Sequence, residues 1–378
     1  MKIAIATVGR FWVLDLAREL SAHNHEVTFW SAVPRRITRS FGLPRSGHRS
    51  LLPRLLPTLA VRRFVPRASD EANRKLIVSA DHSIADRLEP CDVFIGMSGV
   101  AVESARVARE RFGAKVYIER GSRHISSQKA ILEELRARGF ASETVPAWIE
   151  ERELEGYALA DRVAVPSAHV EQSFKEQGFP SEKLFRNPYG VDLSEFPPTT
   201  APSGMPTILF VGAWSYRKGV DVLVEAWRQL GHVRLLHVGA VVDAPLPSDV
   251  NFTHVDAVPQ SRLRDYYAKA HVFALASREE GLALVQAQAL ASGLPLVCTD
   301  RTGGEDLQQL LGDQSVVKVV ATDDAEALAS GIRAMLVRNR DLKGERRLPE
   351  SDREQLGWAA YGARYAQELT RTVGEGRG

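Results

Sequence analysis

The sequence predicts an α/β protein that consists of two doubly wound domains. The chain has 378 residues, which is more than one hydrophobic core usually serves. Short runs of β-branched residues alternate with helical patterns in both halves, and this alternation is typical of parallel sheets with crossover helices. The segment 197–206 is rich in proline and has the composition of a linker between the two halves.

The N-terminal half alternates predicted strands and helices. Because each run is short and rich in β-branched or apolar residues, we predict strands over residues 2–7, 26–30, 92–96, 114–118 and 162–166. Apolar residues with helical spacing predict helices over 13–22, 100–112 and 143–160. A further helix is expected to begin after Ser167, a residue type that favours the N-cap position, and to end at Gly178.

The same alternation restarts after the linker. It predicts strands over 207–211, 234–238, 251–254, 272–276 and 294–298, and helices over 219–230, 260–270 and 284–292. A last periodic helix is predicted over about 352–373. We therefore divide the chain into residues 1–196, 205–351 and 352–378. Doubly wound sheets bind ligands at the carboxyl ends of their strands, so the cleft between the two domains is the expected site.

Composition indicates an ordinary globular protein in a reducing compartment. Hydrophobic residues make up 44% of the chain and charged residues 25%, which is typical of such proteins. Cys91 and Cys298 lie far apart and lack metal-ligand spacing, so we expect two buried, reduced thiols. Because no signal-peptide pattern and no apolar run of roughly 20 residues is present, the protein is expected to stay in the cytoplasm.

Residues 31–75 are strongly basic, although the formal net charge of the whole chain is only +2. Asp70 and Glu71 are the acids of this segment, and a proline-broken apolar stretch lies at 51–61. Basic charge beside apolar residues favours peripheral contact with an anionic inner membrane. The alternative is a solvated insertion whose arginines pair with acids elsewhere. Nucleic acid is not expected as a partner, because no basic–aromatic interleaving or reader motif is present.

The segment from Ser277 to Gln288 runs from a strand end through a tight turn into a helix. Free N–H groups and the dipole at a helix start suit a phosphate, and Gly281 allows close approach of the backbone. Glu280 can accept hydrogen bonds from sugar hydroxyls, and Gln288 can face a ribose. The alternative is a plain strand–helix–strand unit with a capping glutamate.

A basic pair, Arg217 and Lys218, opens a helix after the glycine turn at Gly212. The helix dipole disfavours cations at this position, so the pair indicates an anion nearby. Fixed cations at that point can stabilise negative charge on a bound anion. The alternative is a surface basic pair without function.

Polar residues also follow two strands of the N-terminal half. His124 lies in the segment Glu119-Arg-Gly-Ser-Arg-His124, and Gly9 lies in Thr7-Val-Gly-Arg10. A lone histidine is often structural, but its place in a polar strand-end loop makes His124 a catalytic candidate. The segment at Gly9 lacks the full Gly-x-Gly-x-x-Gly pattern, so dinucleotide redox chemistry is not expected.

These motifs resemble those of the retaining nucleotide-sugar glycosyltransferases of family 4, the glycosyl transferases group 1. In that family a glutamate, seven residues and a second glutamate precede Ala-x-Ala-x-Gly-x-Pro. Glu280, Gly293 and Pro295 match this pattern, whereas Gln288 stands in place of the second glutamate. The usual Gly-Phe-Gly turn reads Gly281-Leu282-Ala283 here. The segment that begins at Glu119 resembles the bacterial polysaccharide-biosynthesis type.

The resemblance implies a GT-B fold, in which two Rossmann-like domains face a central cleft and a C-terminal helix returns to the N-terminal domain. It implies transfer of a hexose from a nucleoside-diphosphate sugar to a glycan or lipid-linked acceptor, without a metal ion or a cofactor besides the donor. Arg120 and Arg123 are then candidates for acceptor or phosphate contacts. The residues implied to be catalytic are Glu280, His124, Arg217 and Lys218, and those implied to bind the donor are Gly9, Gly212, Gly281, Leu282, Ala283 and Gln288.

Three other functions remain open at this stage. A nucleotide-sugar epimerase and a phosphorylase can share the same fold. A catalytically inactive sugar-nucleotide-binding protein is suggested by Gln288, by Ala283 and by Ala213, which stands where the family often has an arginine.

Overall fold

A computed structural model of the chain confirms the predicted α/β class. The structure describes residues 1–56, 69–141, 143–342, 345–346 and 348–375. Two separate parallel sheets, one in each half of the chain, form its framework.

The first sheet belongs to the N-terminal domain. Its strands are β1 (Lys2–Ala6), β2 (Glu26–Ser31), β3 (His48–Ser50), β4 (Val93–Met97), β5 (Lys115–Glu119), β6 (Arg162–Val165) and β7 (Leu184–Arg186). Within the described residues they pair in the order β3-β2-β1-β4-β5-β6-β7, with all neighbours parallel. The strand order reverses between β1 and β4, which is the switch point where doubly wound sheets bind ligands.

The second sheet belongs to the C-terminal domain. Its strands are β8 (Thr207–Val211), β9 (Arg234–Val238), β10 (Phe252–Val255), β11 (Val272–Leu275), β12 (Leu296–Thr299) and β13 (Val317–Val320). They pair in the order β10-β9-β8-β11-β12-β13, again in parallel. Helices cover both faces of such sheets, which explains why β8 and β11 are buried along their whole length. This order is that of a Rossmann-like sheet.

Helices connect the strands of both sheets. Among the described residues, α-helices span Val13–Ala22, Arg35–Ser40, Ser69–Ala85, Glu103–Phe112, Ile125–Ala137, Ala147–Leu159, Ala168–Glu176, Val220–Arg228, Gln260–Tyr267, Leu284–Ala291, Gly304–Leu310, Ala325–Asp341, Glu350–Gln355 and Trp358–Glu375. Short 3-10 helices occur at Arg45–Gly47, Ser181–Lys183, Tyr216–Lys218 and Gln314–Val316. In the part of the chain that the structure describes, no helix combines the length and apolar character that a bilayer span requires.

The predicted C-terminal helix is two helices rather than one. Glu350–Gln355 ends before Gly357, which forms a parallel bridge with Val191 near the end of the N-terminal domain. Trp358–Glu375 then packs against helix Val13–Ala22. Its Tyr365 hydroxyl donates a hydrogen bond to the Glu119 carboxylate at 2.7 Å. The helix therefore lies on the N-terminal domain, beneath the carboxyl end of β5.

Ser167 occupies the N-cap position of helix Ala168–Glu176, as predicted, but its side chain makes no capping hydrogen bond. Its hydroxyl instead donates to the Gly281 carbonyl of the C-terminal domain at 2.8 Å. The N–H of Ala168, in the first turn, bonds to the carboxylate of Asp306 at 2.9 Å, and Asp306 also belongs to the C-terminal domain. The cap is thus supplied across the cleft, which a local sequence pattern cannot predict.

Candidate active site

The ends of β8 and β11 bring the basic pair and the predicted sugar-binding glutamate together. Lys218 forms an ion pair with Glu280. Arg217 donates to both the carbonyl oxygen and the carboxylate Oε2 of the adjacent Glu279, at 3.1 and 3.0 Å. The three residues grouped by the sequence therefore lie in one cluster, although 62 positions separate Lys218 from Glu280 along the chain.

Backbone geometry holds this cluster together. Gly219 adopts a left-handed conformation with φ of 65°, and a Cβ at this position would overlap the Ala276 carbonyl oxygen. The turn that carries Lys218 therefore packs directly on the end of β11. The N–H of Arg278 donates to the Arg217 carbonyl at 3.0 Å, which joins the two loops through their backbones.

Burial sets the electrostatics of Lys218. Only 16% of the Lys218 side chain and 12% of the Glu280 side chain are exposed. Burial and the neighbouring Arg217 guanidinium lower the pKa of Lys218 to about 7, against the opposing attraction of Glu279. The charge of Lys218 is consequently sensitive to any anion that enters the site.

The Glu280 loop carries backbone N–H groups that have no hydrogen-bond partner among the described residues. The N–H groups of Gly281 and Leu282 make no hydrogen bond within the described residues, and they precede helix Leu284–Ala291. The N–H of Ala283 points elsewhere, since it lies 3.4 Å from the Thr302 carbonyl oxygen. Free amides before a helix start, close to Lys218, form a cradle for an anion.

The N-terminal domain closes over this loop from the other side. Ser122 donates to the Glu279 carboxylate, and His169 Nε2 lies 2.9 Å from the Glu280 carbonyl oxygen, so this nitrogen carries the donated proton. A Cβ at Gly281 would overlap the Gly121 carbonyl oxygen, so the two domains touch at this point. The carboxyl ends of β5 and β6 thus face those of β8 and β11.

His124 lies beside this contact rather than within it. Its Nδ1 accepts a hydrogen bond from the Ser126 N–H at 3.3 Å, as the N-cap of a helix, Ile125–Ala137, that the sequence patterns did not predict. The ring packs against Tyr157 and Phe174. Burial and the Arg120 guanidinium lower the pKa of His124 to about 4, so the imidazole is neutral at pH 7.

Gln288 is committed to an internal hydrogen bond. Its Oε1 accepts from the Tyr267 hydroxyl at 2.9 Å, so the oxygen expected to meet a ribose already has a partner. Gln288 also lines a cavity of about 300 Å³ between the domains, together with Arg10 and Trp12 from the loop after β1 and Trp358 from the last helix.

The remaining predicted donor residues lie at strand ends around the cleft. A Cβ at Gly9 would lie 2.9 Å from the Phe11 ring, which lines the cavity beside Gln288. Gly212 has a φ of 148°, and its carbonyl accepts from His237 Nε2 at 2.9 Å. Leu282 is buried and turned toward the loop after β12.

Comparison with known proteins identifies the C-terminal half. Residues 205–338 match the family described as "Glycosyl transferases group 1". This half is a glycosyl transferases group 1 domain. The chain is 34% identical over 175 residues to a GDP-mannose-dependent alpha-mannosyltransferase of Mycobacterium tuberculosis, a match over 43% of this chain and 44% of that protein. It is 31% identical over 185 residues to TuaC of Bacillus subtilis, whose name assigns it to teichuronic acid biosynthesis, over 45% of each chain. The chain therefore spans less than half the length of these relatives in its matches.

Solved structures match the group 1 domain together with the N-terminal domain. Sucrose-phosphate synthase from Thermosynechococcus elongatus superposes with a TM-score of 0.66 at 19% identity, over 99% of this chain and 100% of that chain. HepE of Anabaena, solved with UDP and glucose, superposes with a TM-score of 0.62 at 12% identity, over 98% and 100% of the two chains. These likenesses and the two Rossmann-like sheets establish the GT-B fold.

The sequence patterns missed three residues that contact the Glu280 loop of the group 1 domain. Glu279 is buried and bonds to Ser122, and His169 bonds to the Glu280 carbonyl. Burial and Arg123 lower the pKa of His169 to about 4. All three residues lie just after strands, so the rule that marked Glu280 and His124 also applied to them. Ser122 and His169 bond to the other domain, and Glu279 bonds both to Ser122 and to Arg217 of its own domain, so no local pattern marks the contacts between domains.

Glu119 is a further buried acid at the carboxyl end of β5. It accepts hydrogen bonds from Trp12 Nε1 and from the Tyr365 hydroxyl, each at 2.7 Å. Complete burial raises the pKa of Glu119 to about 7, although these two hydrogen bonds act in the opposite sense. Glu119 thereby ties the loop after β1 and the last helix to the site.

Arg120 and Arg123, the predicted candidates for acceptor or phosphate contacts, both lie near carboxylates of the N-terminal domain. Arg120 lies 3.2 Å from the Glu153 carboxylate and donates to Gln128 Oε1 at 2.7 Å. Arg123 lies 3.6 Å from the Glu176 carboxylate. Arg120 thus has partners within the N-terminal domain, whereas the buried Nε of Arg123 has no hydrogen-bond partner among the described residues.

Proposed function

We propose that this chain transfers a hexose from a nucleoside-diphosphate sugar to a glycan or lipid-linked acceptor with retention of configuration. The observation that carries the proposal is the convergence of Arg217, Lys218 and Glu280 beside the free amides of Gly281 and Leu282. Two cations and two amides suit a diphosphate, and the carboxylate next to them suits the hydroxyl groups of the attached sugar. The group 1 match and the UDP-bound structural neighbour support the same class of donor.

In this proposal the protein's own cations act on the leaving group. Arg217 and Lys218 neutralise the charge that grows on the diphosphate as the glycosidic bond breaks, so they stabilise the transition state more than the bound donor. Glu280 holds the sugar hydroxyls, and contact between Gly281 and the N-terminal domain excludes water from the donor. No metal ion or further cofactor is required for these steps.

We propose that His124 and Gly9 act from the N-terminal side of the cleft and Gly212 from the group 1 domain. In this proposal His124 contacts the transferred sugar near the reacting carbon. Gly9 and Gly212 allow the backbone to approach the donor closely. His124 is neutral at pH 7, so it can polarise a hydroxyl by hydrogen bonding but brings no positive charge.

We further propose that the acceptor is presented at the cytoplasmic face of an anionic membrane during cell-surface polysaccharide biosynthesis. The name of the relative TuaC supports such a pathway. Helix Arg35–Ser40 exposes Arg35, Arg36 and Arg39 together with Ile37, which is 39% exposed. Of the other basic residues in this segment, Arg49 pairs with Glu89 at 3.2 Å, and Arg62, Arg63 and Arg67 lie outside the described residues.

Transfer activity is the direct test. Purified protein is screened by thermal shift against uridine, guanosine and adenosine diphosphate sugars, and the stabilising donor is then incubated with glycan and lipid-linked acceptors. Mass spectrometry is expected to detect a product one hexose heavier, and NMR the retained anomeric configuration. Glu280→Gln is expected to lower transfer by about 100-fold, the scale at which a lost transition-state contact acts. Glu326→Gln, at an exposed glutamate of the same domain, serves as the control.

Three results would contradict the proposal in different ways. Conversion of the nucleotide sugar without an acceptor would indicate the epimerase, and pyridoxal absorption with phosphate-dependent cleavage would indicate the phosphorylase. Donor binding without any turnover would indicate the inactive binding protein.

A further inference from the structure

The helix that follows the β5 loop ends in a turn that reaches the group 1 domain. Helix Ile125–Ala137 stops at Gly139, which has a left-handed φ of 82°. The Phe140 N–H then bonds back to the Leu135 carbonyl at 3.0 Å, the pattern of a Schellman motif. The glycine therefore fixes the direction in which the Phe140 ring leaves the helix.

Phe140 stacks on a ring of the opposite domain. Its centroid lies 4.3 Å from that of Tyr216, and the two ring planes differ by 12°. Tyr216 directly precedes Arg217 and Lys218 in the turn that carries the predicted diphosphate contacts. The buried guanidinium of Arg278 lies 5.3 Å from the centre of the Phe140 ring.

An ion pair lies beside the stacked rings. Arg138 Nη1 bonds to Asp323 Oδ2 at 2.8 Å, and Arg278 Nε bonds to Asp323 Oδ1 at 2.6 Å. Arg278 also donates to the Tyr216 carbonyl at 2.5 Å and holds both carboxylate oxygens of Asp221. One residue, Arg278, thus joins the interdomain pair to the basic turn and to the start of the Glu280 loop.

We propose that Arg138 and Phe140 form an interdomain clasp, in which Phe140 is a positioning residue for the diphosphate turn. The clasp holds Tyr216 and Arg278 in place only when the domains are closed, so the orientation of Arg217 and Lys218 depends on closure. Opening of the clasp loosens the turn and releases the nucleoside diphosphate. This coupling rests on the proposed function, whereas the clasp itself is a contact between domains.

Two measurements test the clasp separately. Small-angle X-ray scattering of the full chain without ligand compares the wild type with Phe140→Ala and Arg138→Ala, and we expect a larger radius of gyration for both variants. Calorimetry with UDP, GDP and ADP then measures nucleotide affinity. We expect Phe140→Ala to bind about three- to tenfold more weakly than the wild type, the range of an aromatic stacking pair. Phe140→Tyr, which keeps the stack, is expected to restore both values.

A matched control and a double-mutant cycle guard against a merely structural effect. Arg136→Ala changes an exposed arginine of the same helix and is expected to leave both values unchanged. Arg138→Ala and Asp323→Asn are expected to act non-additively on affinity, because they share one ion pair. An unchanged radius together with unchanged affinity in Phe140→Ala would overturn the clasp. The proposed function would be overturned if none of the three nucleotides binds the wild type. A larger radius of gyration in Phe140→Ala would still support the clasp in that case.

Discussion

Lys218 is the residue whose charge responds most directly to a ligand in this site. It is buried beside Arg217, and both effects favour loss of its proton. A bound diphosphate favours the protonated form and raises the pKa again. Donor binding should therefore draw a proton from solvent whenever Lys218 is neutral in the free protein, which links affinity to pH.

The sign and size of this linkage can be predicted. Below the free-protein pKa of about 7, Lys218 is already charged and donor affinity is at its maximum. As pH rises above 7, affinity should fall by a factor that approaches tenfold per pH unit, until the pKa of the bound state is reached. Calorimetry from pH 6 to pH 9 with the donor found in the screen measures this slope. Lys218→Arg keeps its charge throughout and is expected to give a flatter profile. An equally steep slope in that variant would assign the titration to another group.

The loop that follows β11 packs directly against the N-terminal domain at Gly281. Gly281 lies against Gly121 and close to Pro166, whose Cγ lies 3.2 Å from the position that a Cβ would take. Its φ is not in the left-handed region, so space rather than backbone conformation restricts this glycine. The loop can therefore meet the N-terminal domain only without a side chain at this position.

Gly281→Ala is expected to hold the domains apart. The new methyl group would overlap the Gly121 carbonyl, and overpacking of this kind costs enough to lower transfer by at least about tenfold. The unfolding temperature is measured alongside, because a large decrease would indicate lost folding rather than lost closure. Gly156→Ala is a suitable control, since a Cβ there meets no atom within 4 Å. Equal transfer rates for Gly281→Ala and the wild type would show that closure does not require this contact.

The elements and part of the site were predictable because their signals are local. Strands 207–211 and 234–238 were predicted with the bounds that the structure has, and strand-end rules selected Glu280 and the basic pair. His169, in contrast, meets Glu280 across 111 residues and across two domains. No periodicity or spacing within the chain reports the angle at which two domains pack, so contacts of this kind lie beyond sequence patterns.

The two domains of the whole molecule divide the proposed task. The group 1 domain carries the basic pair and the Glu280 loop, and the N-terminal domain carries His124 and the exposed basic helix Arg35–Ser40. The last helix returns to the N-terminal domain and donates to Glu119 at 2.7 Å. Chain segments from both ends thus converge on one cleft, and under the proposed function the exposed basic helix is the surface that contacts the membrane.

Membrane contact makes a prediction at this scale. The full-length protein is expected to float with vesicles that contain about 30% anionic lipid and to stay in solution with neutral vesicles or at high salt, where charges are screened. Changing Arg35, Arg36 and Arg39 together to glutamate should reduce flotation by at least about tenfold, because each basic residue near the surface contributes on the order of 1 kcal/mol. The control is a second triple variant that has the same net charge as the first. It changes three exposed arginines of the C-terminal domain to glutamate, Arg264, Arg333 and Arg340, and is expected to float about as well as the wild type. If both triple variants lose flotation equally, net charge alone explains membrane binding. If neither variant loses flotation, helix Arg35–Ser40 does not contact the membrane.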